Sequence, residues 1–381
     1  NALSTVQTLP LFTLLSSIIY FSNEDDLDYT YTYKAIDLKT DLIKNAIDYM
    51  QQYITDSVKE MAASGGVDNV SQSHVDRKKG GVNIIYYGAP GTGKSYSVDQ
   101  KAKVENSGTL VRTVFHPDTQ NSDFIGSLKP VMAKDKDITY RFSPGPFATA
   151  LLNAHINPSD MHWLIIEELN RAPAAAVFGE LFLLLDRSED GSGKYDADFP
   201  SEEFANWWAN RMGLEKARMI LPSNLSILAT MNSADQGVFP LDTAFRRRWK
   251  QTYVRIDYSN APNGEVSLAL QDGSTIQKTW AEFVAVLNEF LIQKIGSGIS
   301  EDRLVGQWFL SEQDLSDSSE ALPGKLLIYL WDDLLRHHAR KMLFAGDIET
   351  YGELSMRTED GKQIFSDDFL DQFVETGSDE E

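Results

Sequence analysis

Eight consecutive residues, Gly88-Ala89-Pro90-Gly91-Thr92-Gly93-Lys94-Ser95, have the types and spacing to hold a chain of phosphates. The pattern is G-x-x-x-x-G-K-[ST]. Its glycines let the backbone curl so that successive N–H groups face phosphate oxygens, and the following helix adds positive partial charge at its N-terminus. Lys94 can reach the β- and γ-phosphates, and the Ser95 hydroxyl can take a place on Mg²⁺. Two adjacent acids, Glu167 and Glu168, follow the apolar run Met161 to Ile166. Mg²⁺ needs a carboxylate on itself or on its waters, and a water attacking the γ-phosphate needs one to orient it. Glu167 is assigned to Mg²⁺ and Glu168 to the water. Asn232 ends the next apolar run, where an amide can hold the attacking water or sense the γ-phosphate. Arg246, Arg247 and Arg248 are consecutive, so they point about 100° apart and cannot all serve one site. One or two of them can reach a neighbouring subunit's γ-phosphate and offset its developing charge.

These residues need a strand, a turn and a helix to hold them. Val82 to Tyr87 is apolar, β-branched and aromatic, which predicts a buried strand feeding the phosphate loop, and Ser95 to Lys103 continues as a helix. Leu110 to Phe115 predicts a second strand. Gly126 to Phe142 predicts a projecting hairpin, and Phe147 to Ile156 a helix. Met161 to Ile166 is a continuous apolar run, the pattern of a strand covered on both faces. Pro173 opens a helix to Leu185, a polar stretch from Asp186 to Leu221 interrupts the alternation, and Leu225 to Met231 resumes it. Strands alternating with helices imply a doubly wound, mostly parallel α/β sheet.

Four regions follow. Residues 1–79 form a small, mostly helical N-terminal region, with a strand at Tyr29 to Tyr33, a long amphipathic helix from Ile36 to Val58 and a polar linker. Residues 80–258 form the nucleotide-binding core, 259–365 a separate helical domain, and 366–381 a solvated acidic tail. Leu3 to Phe21 is apolar but carries Gln7 and Pro10, so it is read as a packed segment rather than a membrane span. A net charge of −21 over 381 residues argues against a broad basic surface for nucleic acid. With no cysteine, the chain has neither disulfides nor thiolate chemistry, and a cytoplasmic nucleotide enzyme is the default expectation.

Taken together, the loop, the acids in Leu164 to Ala172, Met231 to Asp235 and the arginine triplet resemble an AAA+ ATPase of the dynein-related, McrB-like branch. Phe115-His116-Pro117, Asp123 to Gly126, Val305 to Phe309 and Tyr329 to Asp333 resemble that branch too. The resemblance covers about residues 80–345. It implies a P-loop AAA+ core with a helical C-terminal lid, assembled as a homo-oligomeric ring, commonly a hexamer, with nucleotide sites between subunits. By position Lys94 and Ser95 fall on Walker A, Glu167 and Glu168 on Walker B, Asn232 on sensor 1, and Arg246 and Arg247 on the arginine-finger region. The expected cofactors are ATP or GTP with Mg²⁺. The expected role is the motor or switch subunit of a restriction or anti-phage defence system, with a separate nuclease or regulatory partner and DNA engaged through the assembly. A MoxR-type remodelling ATPase is the alternative. Glu167 departs from the aspartate usual at the first Walker B position and is one methylene longer.

Overall fold

Five short strands lie parallel in one sheet, in the order β2-β5-β6-β1-β7. They are β1 (Asn83–Tyr87), β2 (Leu110–Val114), β5 (His162–Glu167), β6 (Leu225–Met231) and β7 (Lys250–Tyr253). Every residue of β6 is buried, because the strand is central and covered on both faces. The structure is a computed structural model that describes residues 76–104, 108–132, 138–213, 218–233, 235–295, 299–316, 321–336 and 340–374. All of these lie in one compact unit, His74–Glu381. The strand, long helix and linker expected in residues 1–75 lie outside the described residues.

Helix α1 (Lys94–Val104) follows the phosphate loop and covers one sheet face with Val98 and Ala102, against Trp163, Ile165 and Leu228. The opposite face packs on α2 (Asn121–Ile125), α3 (Pro146–Ile156) and α4 (Ala174–Phe178), with Phe124 meeting Phe115, Phe147 and Phe178. Pro146 sits in the first turn of α3, where its missing N–H costs nothing. The expected helix from Pro173 to Leu185 is interrupted. After α4 the chain tightens into 3₁₀ geometry over Gly179–Leu185, and Gly179 adopts a φ of +51°.

The expected hairpin forms from β3 (Gly126–Met132) and β4 (Ile138–Pro144). Its base packs on α5 (Glu202–Met212), within the polar stretch, where the Phe142 ring stacks on Phe204. The short α6 (Thr243–Arg246) is capped by Asp242, whose side chain accepts from the Phe245 N–H.

The region after residue 258 is not wholly helical. It opens with an antiparallel pair, β8 (Glu265–Ala269) and β9 (Thr275–Thr279), that bury Val266 and Leu268 on a second core. Helix α7 (Trp280–Phe290) supplies that core with Trp280, Phe283, Val284 and Leu287 on one face, as their spacing predicts. Leu326, Leu330, Leu334 and Leu335 are also buried there, on wide π-type turns rather than an α-helix. The short α8 (Glu312–Ser316) and α9 (Arg340–Leu343) and the longer α10 (Tyr351–Glu359) complete the surround.

The acidic tail placed at 366–381 is corrected in its first half. Residues Asp367–Val374 form helix α11, which buries Phe369, Leu370 and Phe373 on α7. The acids Asp367, Asp368 and Asp371 face solvent, while the aromatics between them supply the packing that holds the segment in the lid.

Candidate nucleotide-binding and hydrolysis site

Parallel pairing brings three strand ends together. Tyr87 is in register with Met231, and Ile166 with Ala229, so the residues just beyond β1, β5 and β6 converge at one edge of the sheet. Carboxyl ends of parallel strands are where open α/β sheets bind ligands. Here they carry Gly88 to Ser95, Glu167 with Glu168, and Asn232.

The phosphate loop closes on itself. Thr92 Oγ1 donates to the Ala89 carbonyl at 2.9 Å, and Lys94 Nζ donates to the Gly88 and Ala89 carbonyls at 3.0 and 2.9 Å. Burial pulls the Lys94 pKa down from 10.5 to about 8, against the opposing pull of Glu168, Asp235, Asp302 and Glu167. Gly91 has a φ of +78°, and a Cβ there would stand 2.5 Å from the Phe309 backbone nitrogen. Only glycine meets both conditions.

That close approach comes from the lid. Gly306 N–H donates to the Pro90 carbonyl at 2.9 Å and Trp308 N–H to the Gly91 carbonyl at 2.7 Å. The segment is held on its other side by α7. Trp280 Nε1 donates to the Gln307 carbonyl at 2.8 Å, and Asn288 exchanges two hydrogen bonds with the Val305 backbone. Val305 to Phe309 thus ties the phosphate loop to the lid.

Of the two acids, Glu167 lies beside Ser95, whose Oγ donates to its Oε2 at 3.1 Å. Thr230 Oγ1 donates to the same oxygen. The other oxygen, Oε1, accepts from Arg112 Nη1 at 2.6 Å. Glu168 is the one non-glycine residue with a left-handed backbone among the described residues, at φ +56°. Backbone strain of this kind costs on the order of 1–3 kcal/mol and persists where the surroundings impose it. Here the Glu168 N–H donates to Thr230 Oγ1 at 3.2 Å. Its Oε1 accepts from Asn232 Nδ2 at 3.1 Å, while Oε2 is buried with no hydrogen-bond donor, 3.6 Å from Arg171 Nε. Burial and the nearby Asp235 carboxylate push the Glu168 pKa up, with Arg171 and Lys94 opposing.

Asn232 also donates to Asp235 at 3.1 Å, and Asp235 pairs with Arg171 at 2.8 Å. A cavity of about 300 Å³ opens beside them, lined by Pro90, Asn232 and Asp235 from the core and by Arg303, Phe309 and Tyr329 from the lid.

The structure therefore gathers the phosphate loop, Ser95, Glu167, Glu168 and Asn232, and leaves the arginines elsewhere. Arg246 is exposed and donates to Gln251 at 2.9 Å, and Arg247 is exposed on the same short helix end. No hydrogen bond or ion pair joins either to Lys94, Glu167, Glu168 or Asn232 among the described residues. Arg248 is built in: it pairs with Asp186 at 2.8 Å and lies 4.1 Å over the Phe182 ring. Sequence reasoning missed Arg112, Thr230, Arg171 and Arg303. Strand alternation placed Arg112 and Thr230 on definite sheet faces, but which strands are neighbours depends on sheet order.

The donors suit a small hard cation. A serine hydroxyl and a carboxylate 3.1 Å apart are the kind of oxygen ligands Mg²⁺ prefers.

Residues 83–249 match the model of the AAA domain, dynein-related subfamily. Component YdiS of the type II restriction enzyme BsuMI from Bacillus subtilis (strain 168) is 36% identical over 314 residues, 76% of this chain and 89% of that protein. The EcoKMcrB subunit of the type IV methyl-directed restriction enzyme from Escherichia coli (strain K12) is 30% identical over 173 residues, 44% of this chain and 34% of that subunit. The chain belongs to the dynein-related AAA family, as an AAA+ ATPase of its McrB-like branch.

Proposed function

We propose that this chain is the nucleotide-hydrolysing motor or switch subunit of a restriction or anti-phage defence system, working as a ring with a separate nuclease or regulatory partner. The observation that carries the hydrolytic reading is the convergence of Lys94, Ser95–Glu167 and Glu168–Asn232 on one sheet edge. The restriction role is supported by the name of the BsuMI component, most of whose length this chain matches.

In this reading the loop N–H groups and Lys94 bind the phosphates. Lys94 Nζ exchanges the Gly88 and Ala89 carbonyls for phosphate oxygens. Ser95 and Glu167 hold Mg²⁺, which when bound offsets charge on the β- and γ-phosphates. Glu168 takes the proton of the attacking water. Its raised pKa makes it a stronger base than an ordinary carboxylate, and Asn232 holds its Oε1 in place. Arg246 or Arg247 acts in trans on the neighbouring subunit's nucleotide, a role supported by their exposure and by the lack, among the described residues, of any hydrogen bond or ion pair from them to Glu168.

The test is phosphate release with ATP and GTP in parallel, with and without duplex DNA, for the wild type and two variants. Lys94→Ala is expected to abolish nucleotide binding and turnover. Glu168→Gln is expected to keep binding and lose turnover by roughly 10²–10⁴-fold, the worth of a positioned base. Turnover unchanged in both variants would refute the site. A net charge of −21 favours a protein client and keeps the MoxR-type remodelling role as the second reading, which turnover indifferent to DNA but raised by a protein partner would select.

A further inference from the structure

The Glu167 carboxylate is engaged on both oxygens by the chain itself. Ser95 and Thr230 donate to Oε2, and the Arg112 guanidinium donates to Oε1 at 2.6 Å. Arg112 comes from β2, where it is in register with Ile165, two residues before Glu167 and on the same sheet face. That diagonal cross-strand placement is within reach of a long side chain. The second guanidinium nitrogen, Nη2, is bound by Asp99 of α1, the helix that the phosphate loop opens. Arg112 thus forks between an acid on the phosphate-loop helix and the acid assigned to Mg²⁺. The glutamate at position 167 matters here. An aspartate, one methylene shorter, would reach less far from the strand end toward these three partners.

We propose that Arg112 is a positioning residue that sets the Mg²⁺ requirement of nucleotide binding by competing with the hydrated cation for Glu167 Oε1. The inference rests on reading the site as one for a nucleotide with Mg²⁺. With Arg112 in place, the Glu167 carboxylate is ion-paired, and the cation's water shell must displace a guanidinium to reach Oε1. Asp99 gives the displaced guanidinium a second acceptor, so the exchange does not strand a charge. The Arg112 side chain is 36% exposed, so the competition takes place at a partly solvated edge rather than in a sealed core.

The experiment titrates MgCl₂ into protein with N-methylanthraniloyl ADP or GDP and reads fluorescence, with no turnover involved. Arg112→Gln is expected to lower the half-saturating Mg²⁺ concentration on the order of tenfold, as removal of one like charge near a divalent cation should. Nucleotide affinity in EDTA should not rise, because Glu167 then faces the phosphates without its ion-pair partner. Arg112→Lys keeps the charge without the fork and should fall between. In a Glu167→Asp background, which shortens the reach toward Arg112, Arg112→Gln should shift the requirement less than it does beside Glu167. An unchanged or raised Mg²⁺ requirement in Arg112→Gln, with melting showing a folded protein, would overturn the inference and leave the site reading standing. Nucleotide binding by the wild type that Lys94→Ala does not diminish, or no binding at all, would overturn both.

Discussion

Lys94 is the residue whose charge the site both needs and penalises. Burial brings its pKa to about 8 in the free protein, and a bound phosphate favours the ammonium and raises that value again. Binding above pH 8 must therefore take up a proton. Nucleotide affinity should be flat from pH 7 to about 8 and then weaken by up to about tenfold per pH unit, until the pKa of the bound state is passed. Stability of the ligand-free protein runs the other way. A lysine with a lowered folded pKa costs stability below pH 8, and that cost lifts between pH 8 and the ordinary 10.5. Fluorescence titration with nucleotide from pH 7 to 9.5 checks the first trend, and Lys94→Arg, charged throughout, should abolish it. A pH-independent affinity in the wild type would mean that Lys94 does not meet the phosphates. Glu168 shows the same economy of position. Its left-handed backbone turns the chain sharply after β5, so that two successive acids serve two neighbours, Ser95 for the first and Asn232 for the second.

At the scale of elements, the segment Val305 to Phe309 joins the two cores. A Cβ on Gly306 would lie 2.3 Å from the Gly91 carbonyl carbon and 2.5 Å from the Thr92 nitrogen, both backbone atoms of the phosphate loop. Gly306→Ala should push lid and loop apart and break the hydrogen bonds to Pro90 and Gly91. A cost of about 1–3 kcal/mol is expected from such overpacking. Thermal melting should show the loss, and limited proteolysis should open sites near residue 306 that nucleotide protects in the wild type. A variant as stable and as protected as wild type would show that the contact is slack. Much of this architecture was legible beforehand. Buried parallel strands read as unbroken apolar runs, so β1, β5 and β6, and with them the phosphate loop, Glu167, Glu168 and Asn232, were found from residue order alone. The hairpin β8–β9 was not, because only alternate residues, Val266 and Leu268, are buried on one strand while its partner is mostly polar. Helix α11 was hidden by its own acids, which outnumber the aromatics that fix it. Arg112 was hidden for a different reason: its meeting with Glu167 depends on β2 lying beside β5, a neighbour far off in sequence.

At the scale of the whole molecule, Arg246 and Arg247 stand outside the hydrogen bonds and ion pairs of Lys94, Glu167, Glu168 and Asn232 among the described residues. Arg246 and Arg247 are exposed at the end of α6, bonded away from Glu168, so a catalytic role for them requires a second copy of the chain. This makes a complementation test decisive. Protein carrying Glu168→Gln lacks the base but still offers its arginines, and protein carrying Arg246→Ala with Arg247→Ala lacks the arginines but keeps its base. Each alone should be inactive. Mixed one to one and allowed to exchange subunits, a site works when an intact base meets an intact neighbouring arginine, which random assembly yields at roughly a quarter of positions. Phosphate release near that fraction of wild type would establish a shared site. Activity of the arginine variant on its own would assign the triplet to packing, the role Arg248 already fills through Asp186 and Phe182. Silence of the mixture, with both variants binding nucleotide and co-assembling, would rule out a site shared between a base on one chain and these arginines on its neighbour. Activity of the arginine variant alone would also make Arg171 and Arg303, which line the cavity beside Asn232, the next arginines to substitute.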